Sequence, residues 1–510
     1  MTEQISKNKT IVRNAFMLYL RMFLTMAIGL YTSRVVLNTL GVEDIGIYGL
    51  VGSIVSMVGF INSSMSGATS RFLTYELGKG NEKSLSDTFC SAMVVHIVIV
   101  IVIIILAETV GLWLLCNKLV IPEERMFATH IVYQLSIFSV VFSVIQVPYN
   151  SCIIAHERMD FYAYVEILNV TLKLIIVYIL LIGNFDKLIL YALLMLAVSL
   201  FIMIVYGIYC KRNFKEARFH WIWNKEYIRP MLAFSIWNLY YEGSFAIRQQ
   251  GANFLLNMFC CLAYNAASGI ATTVQGIVMG FSSNTVMAFR PQVVKSYAQG
   301  NIDNMNRLIR LGTKFASVLI IAFTIPMIFR LGYILELWLG NVPPGAIFML
   351  QCLLIVNVFN TASILLVAGI QATGKLKIYS GLCGTIYLLT VAVMYGLMVF
   401  GLDYRAIYVV ILATAFVVNL AYASILKKQV PEFNFHAYYI QAVVPVAVTT
   451  TVSTALIFCI NEYFPTGFLS LLLFGGISVL VILGSSFYIV LDNAERHYII
   501  DFAKSRLHIK

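Results

Sequence analysis

The sequence predicts an all-α, polytopic membrane protein of about fourteen transmembrane helices: two six-helix lobes related by a pseudo-two-fold axis, then two further helices. Three observations carry that reading. Apolar runs of roughly 20 residues, the length a helix needs to cross about 30 Å of hydrocarbon, recur from one end of the chain to the other. Hydrophobic residues make up 60% of the chain and charged residues 12%, against about 25% charged in soluble domains. The two halves of the chain also align on each other at a shift of about 216 to 220 residues.

The apolar cores fall at 15–38, 45–68, 89–115, 127–150, 162–183, 188–210, 231–256, 260–288, 313–338, 346–370, 377–401, 405–426, 437–460 and 468–491. They are continuous, whereas the strands of a membrane barrel would read as short alternating segments. The first core follows Lys7, Lys9 and Arg13 with no small-residue cleavage site, so it is expected to remain as helix 1. Placing the N-terminus in the cytoplasm puts Arg71, Lys79, Lys83, Arg158, the basic run from Lys211 to Arg229 and the C-terminal lysines on the inside. The outer loops then hold only Lys118, Arg125, Lys187 and Arg405. That asymmetry favours an even number of spans with both termini cytoplasmic.

The expected domains are an N-terminal lobe at 1–212, a basic linker at 213–230, a C-terminal lobe at 231–430, extra helices 13 and 14 at 431–491, and a tail at 492–510. Trp221 and Trp223 suit the linker to the membrane interface. The net charge of +11 reflects orientation and contact with an anionic membrane surface; no basic domain suited to nucleic acid exists. Nine cysteines lie mostly in or beside apolar runs, and Cys260 and Cys261 are adjacent. Neither a disulfide framework nor a metal-ligand spacing follows, and no metal site is expected.

The duplication rests on collinear matches. "GIYGLVGSIVSMV" from Gly46 meets "LAYNAASGIATTV" from Leu262, with Tyr48 over Tyr264. "SRFLTYELGKGN" ending at Asn81 meets "RPQVVKSYAQGN" ending at Asn301, "AHERMDFY" from Ala155 meets "ATGKLKIY" from Ala372, and Arg13 meets Arg229. Each match is short, but order and spacing are shared. Six helices per half give both halves one orientation, with a cavity expected where they meet.

Ionisable residues inside the spans are the functional candidates, because a charge in hydrocarbon costs several kcal/mol unless it faces water or a partner. Arg21 lies too deep in helix 1 to snorkel easily, and Arg34 lies near its outer end, where snorkelling competes with a cavity role. Arg248 shares helix 7 with Glu242, Gln249, Gln250 and Asn253, a span too polar for a helix that faces lipid. Glu242 and Arg248 are six apart and point to different sides of a straight helix, unless Gly243 or Gly251 breaks it. Glu166 and Lys173, seven apart in helix 5, share a face but are too distant to pair directly. His96 and Arg330 are weaker candidates, and Pro148 and Pro326 are expected to end or bend helices 4 and 9. Basic groups outnumber acids inside the spans. Arginine binds phosphate through paired hydrogen bonds, so an anionic cargo such as phosphate or pyrophosphate fits.

Two six-helix halves, two extra helices, the "SRFLTYELGKGN" and "RPQVVKSYAQGN" segments after helices 2 and 8, and arginines in helices 1 and 7 give the chain its likeness. It resembles the polysaccharide transporters of the multidrug/oligosaccharidyl-lipid/polysaccharide (MOP) superfamily, and within them the Wzx-type O-antigen flippases. The resemblance implies movement of undecaprenyl-diphosphate-linked oligosaccharide from the cytoplasmic to the periplasmic leaflet of the bacterial inner membrane, by alternating access through a cationic cavity. It assigns Arg21, Arg34, Arg248, Gln249 and Lys173 to substrate binding and Arg71 and Arg290 to a cytoplasmic gate. Glu242 and Glu166 are the carboxylates nearest to a role in proton or sodium coupling. No cofactor is implied; membrane lipids and polysaccharide polymerase machinery are the expected partners, with no nucleic acid.

Three alternatives stand beside this. An ion-coupled multidrug or small-molecule exporter would favour an acidic, aromatic cavity. A lipid II flippase would carry the peptidoglycan precursor. A polysaccharide polymerase would need a large outer loop bearing catalytic groups, and the longest one here runs only around Asn117 to Arg125. The chain is therefore not expected to be an enzyme.

Overall fold

The computed structural model describes residues 2–117, 122–180, 186–260, 262–340, 342–493 and 495–496; side chains 2–12, 30, 33–34, 37–38, 41–43, 45–46, 49–50, 52–64, 114, 117, 262 and 266 lie outside that description. Among the described residues the chain is helical, without strands. The elements are α1 (Thr2–Lys79), α2 (Glu82–Leu106), α3 (Leu112–Asn117), α4 (Met126–Ala155), α5 (Met159–Ile179), α6 (Lys187–Asn213), α7 (Lys225–Phe259) and α8 (Leu262–Ala298). They continue with α9 (Ile302–Leu339), α10 (Ala346–Thr373), α11 (Lys377–Val399), α12 (Arg405–Gln429), α13 (Phe435–Tyr438), α14 (Val444–Asn461) and α15 (Phe468–Ile489). Single π-helical turns join α2 to α3 at Ala107–Gly111 and α13 to α14 at Tyr439–Val443.

Ten helical stretches among the described residues are long and apolar enough to cross a membrane. α7 and α8 are more polar and stand outside that set. α1 takes in two of the expected spans. Arg21 meets Tyr162 at the start of α5 and Tyr31 meets Tyr178 near its end. Asp44 then meets Arg125 beside the start of α4, and Glu76 meets Ser84 back at the start of α2. The chain direction therefore reverses near Thr39 to Asp44, and among the described residues each expected apolar core lies largely on a helix.

The chain forms two compact units, Met1–Leu239 and Tyr240–Lys510. Each is held by its own apolar core: Phe89, Cys152, Tyr206 and Cys210, with Val132, Tyr133 and Val144, in the first, and Leu256, Leu331, Leu350, Tyr408 and Ile457 in the second. Packing order repeats between them. In the first unit α1 packs on α2 and α4, and α4 on α6; in the second α8 packs on α9 and α10, and α10 on α12. α14 and α15 pack on each other and on α9.

The duplicated turns agree in atomic detail. Gly80 and Gly300 adopt φ of 73° and 71°, a region that suits a residue without Cβ. Asn81 then caps α2 by accepting from the Ser84 amide at 3.1 Å, and Asn301 caps α9 by accepting from the Asn304 amide at 3.0 Å. Across each turn one further side-chain bond forms, Ser84 to Glu76 and Asn304 to Ser296, both at 2.7 Å.

Of the local expectations, an end of helix 4 at Pro148 is not met, whereas the bend of helix 9 near Pro326 is. α4 runs through Pro148 to Ala155, and α7 runs through Gly243 and Gly251. In α9 the backbone departs from helical geometry at Arg330, one turn beyond Pro326. There the Arg330 guanidinium donates to the carbonyls of Asn461 and Phe464 at 3.0 and 2.7 Å, capping the end of α14. His96 is fully buried with Nδ1 on the Ala92 carbonyl at 2.8 Å, a satisfied core histidine on that side of the ring.

Candidate functional site

In the second unit, Tyr241, Phe245 and Arg248 recur at helical spacing along one face of α7, and α11 and α12 supply aromatic rings opposite. The Arg248 guanidinium lies 4.7 Å from the Phe245 ring centroid and 5.0 Å from that of Tyr387. Tyr241 bonds the hydroxyls of Tyr422 and Tyr387 at 2.8 and 3.4 Å, and its ring sits 4.7 Å from Tyr379. Arg248 is 7% exposed, its buried Nε has no hydrogen-bond partner, and no described carboxylate pairs with it. A buried cation that faces aromatic rings, with no described carboxylate paired to it, retains hydrogen-bonding capacity for an incoming anion.

Glu242 points elsewhere, as its spacing from Arg248 requires. It lies within electrostatic reach of Arg290 on α8, whose guanidinium donates to Gln371 Oε1 of α10 at 2.7 Å. Gln249 is half-buried and, one residue beyond Arg248, is turned about 100° around the helix from it. Deeper in the unit, α8 and α10 are tied by Gln275 with Asn357 and by Thr361 with Ser282. Asn253 bonds Ser268 at 2.7 Å.

The first unit gathers a different set. Arg21 donates to the Tyr162 hydroxyl at 3.0 Å, with its guanidinium 5.0 Å from that ring. Glu166 lies within electrostatic reach of both Arg21 and Lys173, and no described ion pair shorter than 4 Å joins Glu166 to Lys173. Tyr206 lies fully buried beside Glu166 and Tyr162. Arg71, 6% exposed, packs against the rings of Phe72 and Tyr75. The Arg34 side chain lies outside the described residues.

The structure thus brings Arg21, Glu166 and Lys173 into one cluster, Arg248 into a tyrosine basket, and Glu242 toward Arg290. Sequence reasoning missed the tyrosines. One signal was available: "AHERMDFY" and "ATGKLKIY" end on Tyr162 and Tyr379, which enter the Arg21 cluster and the Arg248 basket in turn.

A family profile described as polysaccharide biosynthesis protein matches residues 11–331. Comparison with curated proteins gives no match. Among solved structures, a MATE in the bent conformation is similar with a TM-score of 0.71 at 13% identity, over 83% of this chain and 97% of that one. An outward-facing multidrug resistance MATE family transporter of the MOP superfamily matches with a TM-score of 0.68 at 14% identity, over 84% and 96%. A MOP superfamily transporter from Pyrococcus furiosus, described as having a binding pocket of reverse polarity, matches with a TM-score of 0.67 at 15% identity, over 85% and 96%. At such identities the likeness establishes the fold.

Proposed function

This chain belongs to the polysaccharide biosynthesis protein family, and on that premise we propose that it is a flippase for undecaprenyl-diphosphate-linked oligosaccharide. It carries the headgroup from the cytoplasmic to the periplasmic leaflet of the bacterial inner membrane by alternating access. The observation that supports this most is Arg248, buried among aromatic rings without a described carboxylate. A permanent cation kept in that state at membrane depth favours an anionic cargo, and a guanidinium matches diphosphate oxygens in geometry as well as charge.

In this reading Arg248, Arg21, Arg34, Lys173 and Gln249 hold the diphosphate or acidic sugar. Glu166 and Glu242 are the carboxylates available for coupling to a proton or sodium gradient. Arg71 and Arg290 serve the cytoplasmic gate, with Arg290 placed to exchange between Gln371 and Glu242. The apolar tail of the substrate stays in lipid while the protein shelters the polar headgroup. The fold is shared with multidrug transporters; the sign of the buried charge at Arg248 is the reason to prefer an anion.

The test is translocation of labelled undecaprenyl-diphosphate-oligosaccharide in proteoliposomes, comparing wild type with Arg248→Ala and Arg248→Lys at equal reconstitution. Rapid transport that collapses in the alanine variant and partly survives in the lysine variant supports the reading. Wild-type protein that moves cationic drugs but no lipid-linked oligosaccharide would replace it with the exporter reading.

A further inference from the structure

Away from the arginines, the last turn of α4, the end of α6 and the short 3-10 turn Lys215–Ala217 converge in the first unit. Cys152 and His156 are four apart, so the end of α4 presents both on one side. Glu216 reaches them from the segment joining α6 to α7. The Cys152 thiol, the His156 Nε2 and a Glu216 carboxylate oxygen all lie within 4.8 Å of one another. His156 Nε2 is 2.5 Å from Glu216 Oε1, and Cys152 Sγ is 3.6 Å from the same oxygen. The Cys210 thiol lies beside that of Cys152 and donates to the Tyr149 carbonyl at 3.4 Å.

We propose that these side chains form a zinc site that fastens the α6–α7 connecting segment to the end of α4. Cys152, His156 and Glu216 are three ligands, and Cys210 is placed to supply the fourth. Thiolate, imidazole and carboxylate are the donors zinc takes, and bonds of about 2.0 to 2.3 Å at tetrahedral angles set neighbouring ligand atoms roughly 3.3 to 3.6 Å apart. The sulfur-to-oxygen separation already meets that spacing. The imidazole and carboxylate need only part by less than about 1 Å to admit an ion between them.

Two features favour a built site over a chance meeting of side chains. Cys152 and Glu216 are 1% and 8% exposed, and a carboxylate held so far from water gains from a cation. His156 is also stacked on Phe214 at 4.1 Å with ring planes 10° apart, which orients the imidazole as supporting contacts do for metal-bound histidines. Binding would release the thiol protons and replace the His156–Glu216 hydrogen bond with two bonds to one ion.

The experiment uses the whole protein in detergent, reduced, stripped with a chelator and titrated with Co2+ as a coloured substitute for Zn2+. One Co2+ per chain, with a thiolate-to-cobalt charge-transfer band that Zn2+ bleaches, is the expected result. Cys152→Ser should at least halve the band, the double change Cys152→Ser with Cys210→Ser should abolish it, and Glu216→Gln and His156→Phe should each weaken binding by about tenfold or more. Glu216→Gln keeps a hydrogen-bonding oxygen for His156, and His156→Phe keeps a ring on Phe214, so both should elute as folded protein. Cys383→Ser, on α11 in the other unit, should change nothing. Failure of folded wild type to bind stoichiometrically, or a band left undiminished by Cys152→Ser, would overturn the site. Zinc that binds without protecting residues 214–224 from proteolysis would overturn its fastening role.

Discussion

The two units share a fold and a packing order yet spend their interior polar residues differently. The first sets Arg21 against Tyr162 with Glu166 and Lys173 in electrostatic reach, a cluster of mixed sign. The second sets Arg248 among Phe245, Tyr241 and Tyr387 with no described carboxylate paired to it. At the opposite end of the helices the contrast is reversed in kind. Arg125 bridges Asp44 and Asp186 in the first unit, while the second stacks Tyr264 and Tyr404 with centroids 4.5 Å apart beside Gly345. Duplication preserved the turns and the helix contacts, which any copy needs to fold. The polar interior was free to diverge, so function is written there.

The largest effect should come from Arg248. Replacing it by alanine removes charge-assisted hydrogen bonds worth about 1.5–3 kcal/mol, hence roughly a 10- to 100-fold fall in initial translocation rate. Arg21→Ala should cost less, because Arg21 already shares its charge with Glu166; equal losses in the two variants would break the contrast between the units. Next comes Arg125→Ala, which strands the buried Asp44 carboxylate and should cost about 2 kcal/mol, seen as a fall of several degrees in thermal unfolding. Tyr404→Phe, at the same end of the second unit, should stay within about 0.5 kcal/mol, since the ring contacts survive and the hydroxyl's partner, Arg405, is exposed. A large penalty for Tyr404→Phe would show that its contact with Arg405 outweighs the ring packing.

The shared turn predicts equality instead. Gly80→Ala and Gly300→Ala should each lose about 1 kcal/mol, because both force a Cβ into left-handed backbone. Unequal shifts in midpoint would mean that the repeat is less faithful than its geometry. The smallest effect belongs to Glu157, which stands at φ 59° where its repeat mate is Gly374 at φ 76°. Glu157→Gly should stabilise the fold slightly, by no more than about 1 kcal/mol, seen as a small rise in unfolding midpoint, and a fall would show that the side chain stabilises more than the backbone strain costs.

What the sequence made legible was governed by local rules. Hydrophobic run length gave the spans, and the matched segments ending at Asn81 and Asn301 turn out to be equivalent helix ends, closed by left-handed glycines and asparagine caps. Reasoning about breakers gave mixed results. α4 does not end at Pro148, while α9 departs from helical geometry one turn beyond Pro326, and the reversal in α1 carries no proline or glycine-asparagine pair to announce it. The site was legible in its charges and illegible in its partners. Arg21 and Tyr162 are 141 residues apart, and no periodicity joins residues at that distance. Cys152, His156 and Glu216 were invisible for the same reason, since Glu216 lies 60 residues beyond His156 in the connecting segment.

Arg330 leaves a mark on how this chain can vary. It holds the end of α14 through the main-chain oxygens of residues 461 and 464, atoms that every amino acid possesses. The attachment therefore depends on the path of the loop before α15 and not on the side chain at Asn461, although Phe464 is separately held by its ring against Phe474. Substitutions should accumulate at Asn461 among descendants of this chain long before any reaches Arg330.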